Sequence, residues 1–146
     1  MPGPFVIDAS VFLNAFNPAE ERSKISMELM TRLRSEGIPM IAPTLLLPEV
    51  AASISRGQDD PELARSFANA LSRISHLTLA PLDHLLARQS LDMAALYRLR
   101  GSDAVYVAVA QRYASPLITL DREQHDRAST ILTTYYPEEI LSEIKS

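Results

Sequence analysis

A chain of 146 residues, 47% apolar and 22% charged, is long enough to bury a sizeable core and too ordinary in composition for a disordered or fibrous protein. The absence of Cys excludes disulfides and thiolate metal sites, so any metal must be held by oxygen or imidazole. Fourteen basic against 18 acidic residues leave a net charge of −4. That excludes a grip on nucleic acid by bulk charge, although one or two divalent ions bound by carboxylates would offset half or all of it and let the Arg residues dominate a rim.

In chain order, residues 4–7 read as a buried strand, with Ser10 placed to cap a short helix carrying Val11, Phe12 and Ala15. Ile25, Leu29, Met30 and Leu33 recur at helical spacing over 20–35, and Glu36-Gly37 supplies the stop. The proline-flanked run 39–43 predicts a brief strand. Thr44 is then a candidate cap for a helix ending at Gly57, which tolerates Pro48 if it lies in the first turn. Asp60-Pro61 opens another helix whose Leu63, Phe67, Leu71 and Ile74 form a stripe expected to be core.

A strand over 76–82 precedes a helix from about Asp83 to Arg98, which presents Leu86, Met93, Ala94 and Tyr97 and is expected to stop at Gly101. Ser102 is placed to cap the next helix, apolar nearly all round from Ala104 to Ala110 and so expected in the middle of the fold. The runs PLITLD, REQHDRA, TILTTY and PEEILSEI predict strand, helix, strand and helix. Strands alternating with helices imply an α/β fold with a mostly parallel sheet covered on both faces. No repeat or linker is visible, so one domain over 1–146 is expected. With neither a signal-peptide pattern nor an apolar run of membrane-spanning length, a cytoplasmic protein without a membrane partner is expected.

In such sheets ligands bind beyond the carboxyl ends of the strands, at the switch point of the topology. Asp8 follows the FVI run and Asp121 the LIT run, which puts both at that edge. Asp103 opens the buried helix and Glu49 lies in the first turn of another. Taken singly, each has an ordinary explanation: Asp121 with Gln124 resembles a capping box, first-turn acids suit the helix dipole, and Asp8 can be a turn residue. Taken together, four carboxylates at element ends suit metal-assisted phosphodiester hydrolysis. Mg²⁺ and Mn²⁺ prefer oxygen ligands, lower the pKa of an attacking water and neutralise phosphoryl charge. Asp126 is the substitute should Asp121 serve only as a cap, while Asp59, Asp60, Asp83 and Asp92 have cap or surface explanations. No His, Lys or Tyr stands out as a general base, and His76, His84 and His125 read as residues of element boundaries or solvated faces.

The segments VIDASVFLNAF, LLPEVAAS, GSDAVYVAVA and LITLD together resemble the PIN-domain family, most closely the VapC-like toxins of prokaryotic toxin-antitoxin pairs, in the order, spacing and context of all four acids. The resemblance implies a three-layer α/β/α fold and a Mg²⁺- or Mn²⁺-dependent endoribonuclease, often a homodimer, inhibited by a small antitoxin protein that occludes the cleft. Asp8, Glu49, Asp103 and Asp121 fall on the family's acidic metal-site positions. Ser10 and Thr119 fall where the family often keeps a hydroxyl or other polar group near the metal. Asn14 falls on a commonly polar position of the first helix, which an exposed polar residue would equally explain. Arg98, Arg100 and Arg122 flank the later acids and are candidates for RNA phosphate contact, though Arg decorates helix ends in general.

Phosphotransfer domains also place an Asp at a strand end. A haloacid-dehalogenase phosphatase, however, wants a second Asp where Ser10 stands, and a receiver domain wants a late Lys, whereas the two Lys residues are Lys24 and Lys145. The remaining alternative is a non-catalytic PIN-like module that binds RNA or protein without cutting.

Overall fold

Three consecutive apolar residues form β1 (Phe5–Ile7), and all three are buried. The next strand, β2 (Met40–Pro43), is buried throughout as well, which requires helices over both faces of the sheet, the three-layer arrangement. The structure, a computed structural model, describes residues 3–145. Met1, Pro2 and Ser146 of the expected 1–146 span lie outside the described residues.

Between these strands run α1 (Ala9–Ala15) and α2 (Ser23–Ser35). Then come α3 (Leu46–Gln58), α4 (Pro61–Ser72), β3 (Leu77–Ala80), α5 (His84–Tyr97) and α6 (Gly101–Arg112). The chain closes with β4 (Leu117–Ile118), α7 (Arg122–Ala128), β5 (Thr134–Tyr135) and α8 (Pro137–Lys145). The five strands are ordered β3-β2-β1-β4-β5, and every pairing is parallel, so the mostly parallel sheet expected is wholly parallel. From β1 the chain winds outward through β2 and β3, then returns to add β4 on the other side of β1. The β1/β4 boundary is therefore the switch point where an open sheet leaves a crevice.

The helix α6 lies over β1, β2 and β4, and its run Ala104–Ala110 is buried on every side, as its all-round apolarity requires. The stop at Glu36-Gly37 forms in full. Gly37 takes φ +65°, its N–H donates to Arg34 O, and the Ile38 N–H donates to Leu33 O at 2.9 Å, the paired bonds of a Schellman ending. Only Gly adopts that left-handed angle without strain.

Several expected caps are displaced. Asp8, not Ser10, caps α1, with its side chain accepting from the Ser10 N–H. Thr44 does not cap α3, because Leu45 holds that position and the Thr44 hydroxyl instead accepts from the Leu82 N–H, joining α3 to the end of β3. Gly101 does not stop α5. Arg98 ends it in a left-handed conformation, Gly101 is the first residue of α6, and the cap position falls to Arg100 rather than Ser102. Of the predicted stripe on α4 and beyond, Leu71 is buried and Phe67 and Ile74 pack against the core, but Leu63 does not. The buried face of α4 is Ala64, Ala68 and Leu71, while Leu63 is 46% exposed and Phe67 packs edge-to-face on Phe16 at 5.2 Å between ring centroids. The late strands are shorter than PLITLD and TILTTY suggest: the Thr119 N–H still donates to Tyr135 O, but the Leu120 and Asp121 N–H groups turn to the side-chain hydroxyls of Ser10 and Thr119.

Candidate functional site

The four acids are carried by four different elements. Asp8 ends the turn out of β1 and caps α1, with Oδ2 accepting from the Ser10 N–H at 3.0 Å. Its own N–H donates to Ile118 O at 3.0 Å, across the β1/β4 switch point. Asp121 caps α7, with Oδ1 accepting from the Gln124 N–H at 2.9 Å. Asp103 lies in the first turn of α6 and Glu49 in the first turn of α3.

These positions bring the carboxylates within electrostatic reach of one another. Burial raises the Asp8 carboxyl above its ordinary value, against the hydrogen bonds of Ser10 and Gln124, and the Asp121 charge raises it further. Burial likewise raises Glu49, opposed by the Tyr106 hydroxyl and reinforced by Asp8. Asp103 is pushed up to about 7, first by burial, then by the charges of Asp8 and Asp121, with a smaller push from Glu49 and only Arg100 acting against them. Converging anions that cannot all ionise comfortably mark a cluster that a cation would relieve.

A cation is already present in the form of Arg100. It lies 3.9 Å from Asp103 Oδ2, 3.7 Å from Asp121 Oδ2 and 3.7 Å from Glu123 Oε2. Among the described residues, no group of three or more acidic, His or Cys side chains is closed up tightly enough to hold an ion as it stands. Three of the four carboxylates turn one oxygen to a protein donor: Asp8 to the Ser10 N–H, Asp121 to the Gln124 N–H and Glu49 to the Tyr106 hydroxyl. The donor set is nevertheless all oxygen, suited to a hard divalent cation, and the Arg100 guanidinium occupies the electrostatic place such a cation would take.

Thr119 is fully buried behind the acids. Its hydroxyl donates to Gln124 Oε1 at 2.7 Å, accepts from the Asp121 N–H at 3.0 Å, and stands 3.4 Å from both Asp8 Oδ2 and Ser10 Oγ. Ser10 Oγ accepts from the Leu120 N–H at 3.1 Å. Both hydroxyls therefore tie the end of β1 to the end of β4. Asn14 is placed elsewhere: its amide donates to Glu21 O and fastens the turn after α1. Arg98 and Arg122 are exposed, and Arg100 alone of the three candidate arginines pairs with the acids among the described residues. Asp126 points to solvent, with its side chain 68% exposed. His125 is not the solvated residue expected, since it stacks on Tyr136 with the ring centroids 4.0 Å apart.

Two residues escape a reading of the sequence. Tyr106, counted with the apolar run of α6, donates its hydroxyl to Glu49 Oε1 at 2.7 Å. Burial and the charges of Asp8 and Glu49 push its pKa far upward, so it remains a donor. The signal was its spacing: one turn after Asp103, it shares that acid's helix face. Gln124, fully buried, does not complete the capping box, because its side chain turns to Thr119 instead of the Asp121 N–H.

Beside the site, lined at one part by Ser10 and Leu120, lies a groove of about 680 Å³ whose apolar wall is Leu13, Phe16, Ile54, Leu63 and Phe67. This groove accounts for the exposure of Leu63 that a core stripe would not show.

The PIN domain family model matches residues 5–129. No curated protein sequence matches the chain. Among solved structures, Mycobacterium tuberculosis VapC20, described as a toxin that cleaves the sarcin-ricin loop, superposes with a TM-score of 0.73 at 15% identity, covering 89% of this chain and 97% of that one. VapBC2 from Rickettsia felis, bound to a DNA fragment from its promoter, gives 0.67 at 12% identity over 90% and 97%. A toxin-antitoxin complex from Klebsiella pneumoniae gives 0.65 at 18% identity over 92% and 98%. At these identities the likeness is one of fold.

Proposed function

Since this chain belongs to the PIN-domain family, we propose that it is a divalent-metal-dependent endoribonuclease, the toxin component of a toxin-antitoxin pair. The observation that carries the reading is the convergence at the β1/β4 switch point of Asp8, Glu49, Asp103 and Asp121, with Asp103 raised to about 7. In this reading those four residues hold Mg²⁺ or Mn²⁺. When bound, such an ion supplies an activated water and neutralises charge on the phosphoryl oxygens.

The chain's own groups do the rest. Ser10, Thr119 and Gln124 hold the ends of β1 and β4 at a fixed separation, which keeps Asp8 and Asp121 facing one space. Arg100, 65% exposed at its side chain, would be free to contact an RNA phosphate where a bound metal ion neutralised the acids it now pairs with. Arg98 and Arg122 extend the basic rim, and Asn14 keeps the α1 turn that borders the cleft in place. An ionised Asp8 or Glu49 accepts the proton that the attacking water gives up.

The partners in this reading are an RNA substrate, a cognate antitoxin and a second copy of the chain. The groove adjoining Ser10, whose lining mixes apolar side chains with Glu20, Glu21 and Arg22, supports a protein inhibitor that covers the cleft. Leu85 and Leu96, 61% and 69% exposed and about three turns apart on one face of α5, support pairing of two copies. Among the described residues no helix is long and apolar enough to cross a membrane; a cytoplasmic location and a single domain over 1–146 are the remaining parts of this proposal.

The deciding experiment is cleavage of a pool of structured RNAs by purified, partner-free protein with Mn²⁺ or Mg²⁺, compared with EDTA and with Asp8→Asn. Metal-dependent cutting that vanishes in the variant is the expected result. A folded protein that neither cuts nor shows a thermal shift with Mn²⁺ would instead be a non-catalytic RNA- or protein-binding module.

A further inference from the structure

Within the buried run Ala104–Ala110, the Tyr106 hydroxyl is the one polar side-chain group. A phenylalanine would fill the same space without having to satisfy a buried O–H, and a buried hydroxyl is costly unless it is bonded. The bond it makes does not go to its own helix. It crosses to α3 and meets Glu49 Oε1 at 2.7 Å. Tyr106 is fully buried on a helix packed over β1, β2 and β4. The hydroxyl is therefore fixed to the same rigid body as Asp103 and Asp8.

Glu49 is in the opposite situation. Its chain has three rotatable bonds, it is half-buried in the first turn of its helix, and among the described residues Tyr106 is the only hydrogen-bond partner of its carboxylate. Without that bond the carboxylate would sample several rotamers, most of them directed to solvent.

We propose that Tyr106 is a positioning residue that orients the Glu49 carboxylate for metal binding, engaging Oε1 and leaving Oε2 to the ion. The inference rests on the metal-site reading above and adds to it a residue outside the four acids. Partners that orient a ligand in this way typically contribute about 10–100-fold to metal affinity.

The test is Mn²⁺ binding by calorimetry to the full chain, in wild type, Tyr106→Phe, Glu49→Gln and the double variant, with thermal melts of each metal-free protein. The expected result is that Tyr106→Phe melts close to wild type, binds Mn²⁺ about 10-fold or more weakly, and makes no further difference once Glu49→Gln is present. A general packing defect would persist in the double variant, so an equal loss there overturns the proposal, as does unchanged affinity in Tyr106→Phe. Should Tyr106→Phe fail to fold, Glu49→Asp, which keeps the charge but draws it away from the phenol, is expected to show the same weakening; wild-type affinity in that variant overturns the proposal. A wild-type protein that binds no Mn²⁺ overturns the metal reading as a whole. Binding by wild type with indifference to Tyr106→Phe overturns only the role of Tyr106.

Discussion

The guanidinium of Arg100 stands 3.7 Å from Asp121 Oδ2, reaching from the start of α6 to the cap of α7. The same side chain lies 3.9 Å from Asp103 Oδ2, so one exposed cation serves two acids of the candidate site and competes with any metal for their charge. At such distances and exposure the pairing is worth only about 0.2–1 kcal/mol. In Arg100→Gln, Mn²⁺ affinity is therefore expected to rise by about 2–5-fold while RNA affinity falls. Calorimetry with Mn²⁺ and a filter-binding assay with RNA, run on the same preparation, check the two opposite signs. Arg98→Ala and Arg122→Ala are expected to weaken RNA binding alone, since neither side chain pairs with the acids among the described residues.

Asp103 gives the metal-free protein a pH dependence of defined sign. Its carboxyl is raised to about 7 in the folded protein from a reference value of 3.8, so between those values the folded state holds the proton that the unfolded chain has already released. The associated stability is fully present below 3.8 and is lost as pH rises through about 7. Metal-free wild type is expected to lose stability between pH 5 and pH 8. Asp103→Asn, which cannot ionise, should lose less and melt at least about 2–4 °C above wild type at pH 8, a difference of about 1 kcal/mol. A pair of thermal melts at each pH decides it; equal pH slopes in the two proteins would refute the assignment.

If the four acids hold Mn²⁺ as proposed, relief of the same repulsion is expected to make the ion a stabiliser. At free Mn²⁺ about 100 times its dissociation constant, binding contributes about 2.7 kcal/mol, a rise of about 5–10 °C in Tm for a chain of this size. Asp8→Asn should abolish most of that rise while leaving the metal-free protein folded, because Asn can still accept the Ser10 N–H that caps α1. Differential scanning calorimetry with and without EDTA measures both effects.

Removing the Thr119 hydroxyl should be costly for the fold. Thr119→Val keeps the shape but strips Gln124 Oε1 and the Asp121 N–H of their partner, a loss of about 1–3 kcal/mol for buried polar groups left unpaired. Thr119→Ser retains the hydroxyl and should recover most of it. Urea denaturation midpoints of the three proteins supply the comparison.

The leucines of α5 offer a check on self-association. If two copies pair through this face as proposed, wild type is expected to sediment as a dimer, and Leu85→Glu together with Leu96→Glu, which places charge on that exposed face, is expected to give monomer in sedimentation equilibrium without loss of helical signal.

Much of this protein follows from local patterns in its sequence. Alternating strand and helix signals dictate a parallel sheet, the all-round apolarity of Ala104–Ala110 dictates a buried helix, and Glu36-Gly37 dictates the end of α2. These features depend on backbone geometry and burial over a few residues, and neighbouring residues report them directly. The position of Asp8 directly after β1 was legible for the same reason, whereas Asp121 lies three residues past β4 as the cap of α7, and the pairing of β1 with β4 then brought both acids to one edge of the sheet.

What only the tertiary structure decided is which groups meet across the chain. Capping at Asp8 rather than Ser10, and at Arg100 rather than Ser102, depends on where the preceding strand or turn delivers the backbone. The Thr44 hydroxyl turned to Leu82, and Leu63 left the core to wall a groove, because elements distant in sequence arrived beside them. Tyr106 and Glu49, 57 residues apart, and Thr119 and Ser10, 109 apart, are brought together by packing of α6 and pairing of β1 with β4. Hydrogen bonds of a few ångströms are settled by the summed geometry of the whole sheet, which no local window of sequence contains.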